Sequence, residues 1–151
     1  MATNTEKFKA GDIITIDNYD LPDIGDTEKR IWGIYLGMDS IVECTIFVYF
    51  CRATTQKKDF QQGGRRYGNK FIEFSKGQYG FERDCLVDLD ERPKYTTKEK
   101  FNSFVIVKKG ELPEDRIREI YNKCLTEKLS KVQLKNIRDS LANAGIHIKN
   151  Q

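Results

Sequence analysis

Two neighbouring stretches, IWGIYLG at residues 31–37 and IVECTIFVYFCRA at residues 41–53, consist mainly of β-branched and aromatic side chains. These residue types are enriched in strands, and the short segment at residues 37–40 provides a turn between the two stretches. The pattern predicts an antiparallel β-hairpin. This hairpin is the part of the sequence that most strongly determines the fold class.

Shorter strand-like segments lie on both sides of the hairpin. Upstream, the isoleucine-rich GDIITIDNY at residues 11–19 predicts a first strand, which a polar loop at residues 20–29 follows. Downstream, a long polar loop with two adjacent glycines is predicted at residues 56–69. Further short strands are predicted at residues 70–74, 84–89 and 103–108.

The last third of the chain has helical periodicity. Pro113 opens PEDRIREIYNKCL, whose first turn is acidic and whose apolar residues recur at three- and four-residue spacing. Ser130 and Gln133 stand in capping-box register for a second helix, and Gly145 suits its end. Strands followed by helices predict a mainly β, α+β fold, namely a small, strongly bent antiparallel barrel with C-terminal helices.

Length and composition limit the class of protein. A chain of 151 residues falls below the ~250 at which chains usually divide, so we expect residues 1–125 to form a barrel domain with its final helix. Residues 126–151 are expected to form a helical extension packed on the same domain. The chain contains no apolar run of ~18 residues and no secretory signal pattern, which favours a cytoplasmic protein. The net charge of +3 is too small to identify a nucleic-acid-binding protein by itself.

The cysteines and the single histidine do not form a metal-binding pattern. The four cysteines are widely spaced, without a Cys-x-x-Cys pair, and His147 lies in the C-terminal tail. We therefore expect free thiols and no metal or cofactor. Phosphate-binding glycine motifs and the nucleophile elbow G-x-S-x-G are also missing from the sequence.

Two short segments carry residues suited to phosphate chemistry. Residues 26–30 form a charged tip before the first hairpin strand, and residues 52–58 place two threonines and two lysines where the second strand ends. An arginine stabilises charge that develops on a phosphate in a transition state, and threonine and lysine together bind phosphate oxygens. Surface charges and ordinary turn residues would produce the same patterns.

A third segment, at residues 57–70, is a basic loop interleaved with aromatic side chains. It carries five cations against one acidic residue, with Phe60 and Tyr67 among them. Bases stack on aromatic rings while phosphates contact cations, so this composition is typical of a path for single-stranded nucleic acid. A solvated charged surface is the alternative interpretation.

The order of these motifs resembles the MazF/PemK (Kid) family of toxin ribonucleases. The resemblance rests on KAGDII at residues 9–14, on Lys29 and Arg30 before the first hairpin strand, and on ATTQK at residues 53–57. QYGFERDCLV at residues 78–87 is similar to the YGFERDS segment of Gram-positive members, and KGELPE at residues 109–114 is similar to their entry to the final helix. The similarity covers approximately residues 8–125 and implies an SH3-like, PemK-type barrel.

The resemblance also implies an activity. Members of this family are toxin endoribonucleases of toxin–antitoxin systems that cleave single-stranded mRNA without a metal, through attack of a 2′-hydroxyl on the adjacent phosphate. Arg30 matches the arginine that stabilises the phosphate and protonates the leaving group, Thr54 matches the catalytic threonine, and Asp90 lies near an acidic residue of some members. The resemblance further implies a homodimer and an antitoxin partner. Trp32, Ile34 and the helix stripe are candidates for the dimer contact, and packing in the core explains these residues equally well.

The predicted RNA contacts lie in the three segments described above, and Asp26 and Glu28 are also the nearest candidates for the family's upstream glutamate. The predicted RNA-binding residues are Asp26, Glu28, Lys29, Thr55, Gln56, Lys57, Lys58, Arg65, Arg66, Tyr67 and Lys70.

Three departures from the family pattern leave a second function open. Ile31 follows Arg30 where the family usually has proline, the loop at residues 56–69 is long, and the chain extends beyond the usual final helix. A non-catalytic barrel that binds RNA or a protein partner is therefore the alternative.

Overall fold

The computed structural model describes residues 2–17, 30–39 and 46–148, apart from the side chain of Cys124. Within these residues seven strands form one curled antiparallel sheet, in the order β4-β5-β3-β2-β1-β7, with β6 paired to β3. The predicted fold class, a mainly β, barrel-like α+β fold, is confirmed. The strands are β1 (Asp12–Ile16), β2 (Ile31–Met38), β3 (Phe47–Thr54), β4 (Phe71–Phe74), β5 (Cys85–Asp88), β6 (Lys94–Thr97) and β7 (Ile106–Glu111).

The hairpin predicted at residues 31–53 is the centre of the sheet. β2 and β3 are antiparallel, with Trp32 opposite Ala53 and Met38 opposite Val48. A register shift between Tyr35 and Gly37 interrupts the ladder, and such irregularities bend strands. Residues 40–45, which include part of the predicted turn and strand, lie outside the described residues.

Both faces of the central strands are buried, which explains why their sequences are apolar almost throughout. Successive side chains of a strand point to opposite faces. In β1, Ile13 packs in a core shared with the C-terminal helices, whereas Ile14 and Ile16 pack with Phe101 on the other face. Ile34 is fully buried in the first of these cores, so it does not belong to an exposed dimer patch.

Helices cover both faces of the sheet. The predicted capping box of α5 is confirmed, because the Ser130 hydroxyl accepts from the Gln133 amide and the Gln133 side chain accepts from Ser130. Two short N-terminal and central helices and strand β6 were not predicted, and the strand expected at residues 103–108 begins only at Ile106, after a helix. The helices are α1 (Asn4–Lys7), α2 (Lys98–Ser103), α3 (Glu114–Ile120), α4 (Thr126–Lys128) and α5 (Lys131–Asn143), with a π-helical turn at Tyr121–Leu125.

Helix α5 packs directly on β2. Gly37 has a φ of +108°, and a Cβ at this position would overlap with Ser140 of α5. The Asp39 carboxylate accepts hydrogen bonds from the hydroxyl of Tyr49 (2.8 Å) and from the side-chain amide of Asn136 (3.2 Å). The helix and the sheet are thus held together by close packing and by a shared carboxylate. Among the described residues, no helix combines the length and apolar character that crossing a membrane requires.

The carboxylate of Glu111 joins edge strand β7 to the start of β1. Lys108 lies 2.8 Å from this carboxylate and Lys9 lies 2.9 Å from it. The hydrogen bond from Lys108, followed by that from Lys9, lowers the pKa of Glu111 from the ordinary 4.5 to about 2. Because the pKa is lowered in the folded state, the stabilisation is fully present above pH 4.5 and is lost as the pH falls towards about 2.

We therefore expect Glu111→Gln to flatten the dependence of stability on pH in this acidic range, with only a small loss at pH 7 because the group is exposed. Urea unfolding followed by the fluorescence of Trp32 at pH 7, 4 and 2.5 measures the effect. Glu127→Gln is the control, since Glu127 is an exposed glutamate without an ion pair in the described part of the chain. If Glu111→Gln unfolds with the same pH dependence as the wild type, the prediction is wrong.

Candidate active site

A pocket of about 70 Å³ lies where the start of β2, the end of β3 and the turn before β5 meet. Its floor is apolar and its rim carries charged and hydroxyl groups. The lining residues are Trp32, Ala53, Thr55, Phe81, Glu82, Arg83 and Cys85.

The turn of the YGFERD segment forms one wall of the pocket. Tyr79 has a φ of +54° and Gly80 a φ of +100°, and this turn packs tightly on the backbone of Lys109 in β7. Phe81 is buried, with its ring stacked on Phe74 at 5.1 Å between centroids. Burial of Phe81 in this way leaves the next two residues, Glu82 and Arg83, exposed at the rim.

Arg30 lies beside the pocket, immediately before β2. Because Trp32 is opposite Ala53, continuation of the same register brings Arg30 next to Thr55. The Nε of Arg30 donates to Oδ1 of Asp17 at 2.6 Å. This hydrogen bond and the charge of Asp17 raise the pKa of Arg30, with a smaller contribution from Glu82. The guanidinium therefore stays charged, which suits stabilisation of a phosphate better than donation of a proton.

The two adjacent threonines have different surroundings. Thr54, the last residue of β3, is only 7% exposed, and its hydroxyl accepts from the amide of Gln56 at 3.1 Å. Since strand side chains alternate, Thr54 points to the opposite face from Ala53. Thr55 is exposed and lines the pocket. Of the pair, it is therefore Thr55 that lines the pocket.

Cations surround the pocket, and most of them are paired with carboxylates. Lys109 lies 3.1 Å from Glu82 and places its ammonium 5.9 Å from the ring centroid of Trp32. Lys57 lies 2.7 Å from Glu73. Arg83 has no hydrogen bond or ion pair with any residue that the structure describes, so its guanidinium is available to an anionic ligand.

Cys85 lines the pocket as a protonated thiol. Burial is the main cause that raises its pKa to about 11, with a further contribution from Asp84. At neutral pH this thiol is therefore a weak nucleophile. Cys51 and Cys85 are buried free thiols, as predicted, whereas Cys44 and the side chain of Cys124 lie outside the described part.

Much of the predicted basic loop is occupied by contacts within the protein. Arg66 lies 3.2 Å from Asp88 and 2.8 Å from Glu91, with only 12% of its side chain exposed. Phe60 is buried beneath it, so this ring is not a free stacking surface. Of the cations and aromatic residues of this loop, those that remain exposed without ion pairs in the described structure are Lys58, Tyr67 and Lys70.

The remaining predicted residues are not gathered at the pocket. Cys85 at the start of β5 lines the pocket, whereas Asp90 follows the other end of that strand and binds the amide of Lys70 at 2.7 Å. Gln56 begins the 3-10 turn at Lys57–Phe60. Asp26, Glu28 and Lys29 lie outside the described residues. No group of three potential metal ligands is found among the residues that are described.

Glu82, Arg83, Trp32 and Lys109 surround the pocket although no site role was predicted for them. The YGFERD segment is the feature of the sequence that could have indicated Glu82 and Arg83, because these two charged residues directly follow an aromatic residue. Trp32 was considered only for a dimer contact, and Lys109 reaches the pocket through strand pairing. Comparisons with models of protein families, with curated proteins and with solved structures found no match for this chain.

Proposed function

We propose that this protein is a metal-independent endoribonuclease that cleaves single-stranded RNA, as the toxin of a toxin–antitoxin system. The observation that carries the proposal is the meeting of three motifs at one pocket. Arg30, the threonine pair and the YGFERD turn are far apart in the sequence, and they adjoin at the ends of β2 and β3. The same three motifs carry the resemblance to MazF/PemK toxins.

The surface around the pocket suits a nucleotide. Trp32 is half-buried and offers a ring on which a base stacks, and stacking of this kind contributes about 1–3 kcal/mol per base. Arg83, which lines the pocket, and Arg30, which lies next to Thr55 in the register of β2 and β3, supply cations for the phosphates. The exposed Lys58 and Lys70 extend the positive surface along the loop before β4.

The proposed reaction is a transfer within the RNA chain. The 2′-oxygen forms a bond to phosphorus while the bond from phosphorus to the 5′-oxygen breaks. Glu82, an exposed carboxylate on the rim, takes the proton of the 2′-hydroxyl, and water protonates the departing 5′-oxygen. The products are a cyclic phosphate and a free 5′-hydroxyl, and no metal takes part in any step.

The protein groups act mainly on the charge of the phosphate. Arg30 stabilises the additional negative charge of the transition state, and donors aimed at such charge contribute about 10²–10³-fold each. The hydroxyl of Thr55 holds a phosphate oxygen, while Thr54 supports the turn through the amide of Gln56. In this proposal the threonine that contacts RNA is one position later than the one implied by the family resemblance.

Two partners belong to the proposal. An antitoxin with an acidic, disordered segment would fold across the exposed lysines of the loop and block the pocket. A homodimer follows from the family resemblance, and light scattering at micromolar concentration tests it, since a monomer under these conditions would count against it.

The test is cleavage of a long single-stranded RNA by the purified protein in EDTA, beside Thr55→Ala and Thr54→Ala. We expect discrete cuts by the wild type, with about 10²-fold slower cutting by Thr55→Ala and a smaller loss in Thr54→Ala. Circular dichroism of each variant checks the fold. A loss of about 10²-fold in a properly folded Thr54→Ala, with Thr55→Ala still active, would return the phosphate contact to Thr54. RNA left uncut by the wild-type protein would overturn the proposed nuclease activity.

Two observations favour a second function, a non-catalytic barrel that binds RNA. Thr54 is buried, and Arg30 already has a carboxylate partner. A shift of single-stranded RNA in a gel, weakened steeply by salt and without cleavage, would identify this function.

A further inference from the structure

An ion pair joins Asp17, the residue after β1, to Arg30, the residue before β2. Asp17 follows directly after β1, and its carboxylate lies 2.6 Å from Nε of Arg30. Ile16, the last residue of β1, is opposite Ile31, the first residue of β2, so Asp17 and Arg30 occupy the next position along the two chains.

Asp17 is itself held by the backbone on its other side. Its amide donates to the carbonyl of Val105 at 3.1 Å, in the segment that leads into β7. Ile31, which follows Arg30, is 4% exposed and packs in the core. Both partners of the ion pair are therefore next to residues of the paired strands β1 and β2.

The hydrogen bond uses only one edge of the guanidinium. Arginine presents five N–H groups in a fixed plane, and Nε carries one of them. No other hydrogen bond to Arg30 is present in the described part of the chain, and its side chain is 53% exposed. Among the described residues the two terminal nitrogens have no partner, which leaves them for a bidentate contact with a phosphate.

We propose that Asp17 is a positioning residue that fixes the plane of the Arg30 guanidinium for the scissile phosphate. This inference rests on the proposed function. It also accounts for the isoleucine after Arg30, because the carboxylate supplies the rigidity that proline provides in the MazF/PemK family. A lysine at position 30 would not support this arrangement, because an ammonium is not a planar group that binds the carboxylate with one edge and the phosphate with another.

The experiment compares the full-length wild type with Asp17→Ala and Asp17→Asn, using cleavage of an RNA oligonucleotide in EDTA. Misplacement of a catalytic group by about 1 Å costs as much as 10²-fold, so we expect Asp17→Ala to lower kcat by about 10–100-fold with little change in KM. Asp17→Asn keeps an acceptor oxygen and should lose less. Asp139→Ala, which breaks an exposed ion pair on α5 with Lys135, is the matched control.

A second measurement does not depend on cleavage. In an arginine-selective NMR spectrum the Nε–H of Arg30 should exchange slowly with water in the wild type and rapidly in Asp17→Ala. An unchanged kcat, a raised kcat or an Nε–H unaffected by the substitution would overturn the positioning role. Wild-type protein that leaves RNA intact but shows the protected Nε–H would overturn the nuclease and leave the anchoring of Arg30 by Asp17 in place.

Discussion

Gly80→Ala should destabilise the protein by about 3 kcal/mol or more, a large part of the total stability of a domain of this size. Gly80 has a φ of +100°, which L-residues with a Cβ rarely adopt, and its Cβ would overlap with the carbonyl of Lys109. The neighbouring atom belongs to the backbone of β7, so it cannot rotate away. Gly110 faces the carbonyl of Tyr79 across the same contact, so the close approach leaves no room for a Cβ there either.

Gly77→Ala is the matched control for this substitution. Gly77 also has a positive φ, +90°, but a Cβ there would meet no atom within 4 Å. Gly77→Ala should therefore lower the free energy of unfolding by only about 1 kcal/mol, the cost of a positive φ for a residue with a Cβ. Urea unfolding followed by Trp32 fluorescence compares the two variants, and equal midpoints would contradict the proposed close approach of the turn and β7.

Arg30→Ala should reduce RNA cleavage by about 10²–10³-fold while the protein stays folded. The side chain is half exposed, so its removal leaves no cavity in the core. Arg30→Lys keeps the charge but not the planar fork. It should lose most of the same activity, because an ammonium has no fixed plane in which one edge binds the carboxylate of Asp17 while the other binds two phosphate oxygens.

Arg118→Ala is the control for loss of an arginine, since Arg118 pairs with Glu114 on α3 rather than at the pocket. Its cleavage rate should equal that of the wild type. Single-turnover rates in EDTA, with circular dichroism of each variant, make the comparison. Activity within about twofold of the wild type in Arg30→Ala would remove the arginine from the mechanism.

The parts of the fold that follow from local patterns were predictable. The apolar hairpin, the isoleucine-rich first strand and the Ser130 capping box depend on neighbouring residues, and all three are present in the structure. Strand β6 and helix α2 were missed because KYTT and KEKFNS are polar and short, and pairing with β3 and burial of Phe101 stabilise them instead. Such stabilisation comes from partners distant in the sequence.

The candidate site was predictable only in part. The resemblance singled out Arg30, the threonine pair and the YGFERD segment, and these residues adjoin in the fold. That the basic loop contributes few free cations was not predictable, because Arg66 is neutralised by Asp88 and Glu91, more than twenty residues away in the chain. Charge counted along a sequence does not show which cations are already paired.

The sequence by itself determined the class of fold, the positions of the central strands and the cap of the last helix, since each depends on the side-chain periodicity of one segment. Only the tertiary structure decided which face of β3 each threonine occupies, which carboxylate holds Arg30, and which charges surround the pocket. The physical reason is that strand register and the approach of the YGFERD turn to β7 bring together groups from five separate segments of the chain. A single segment carries no information about the partners that it meets in this way.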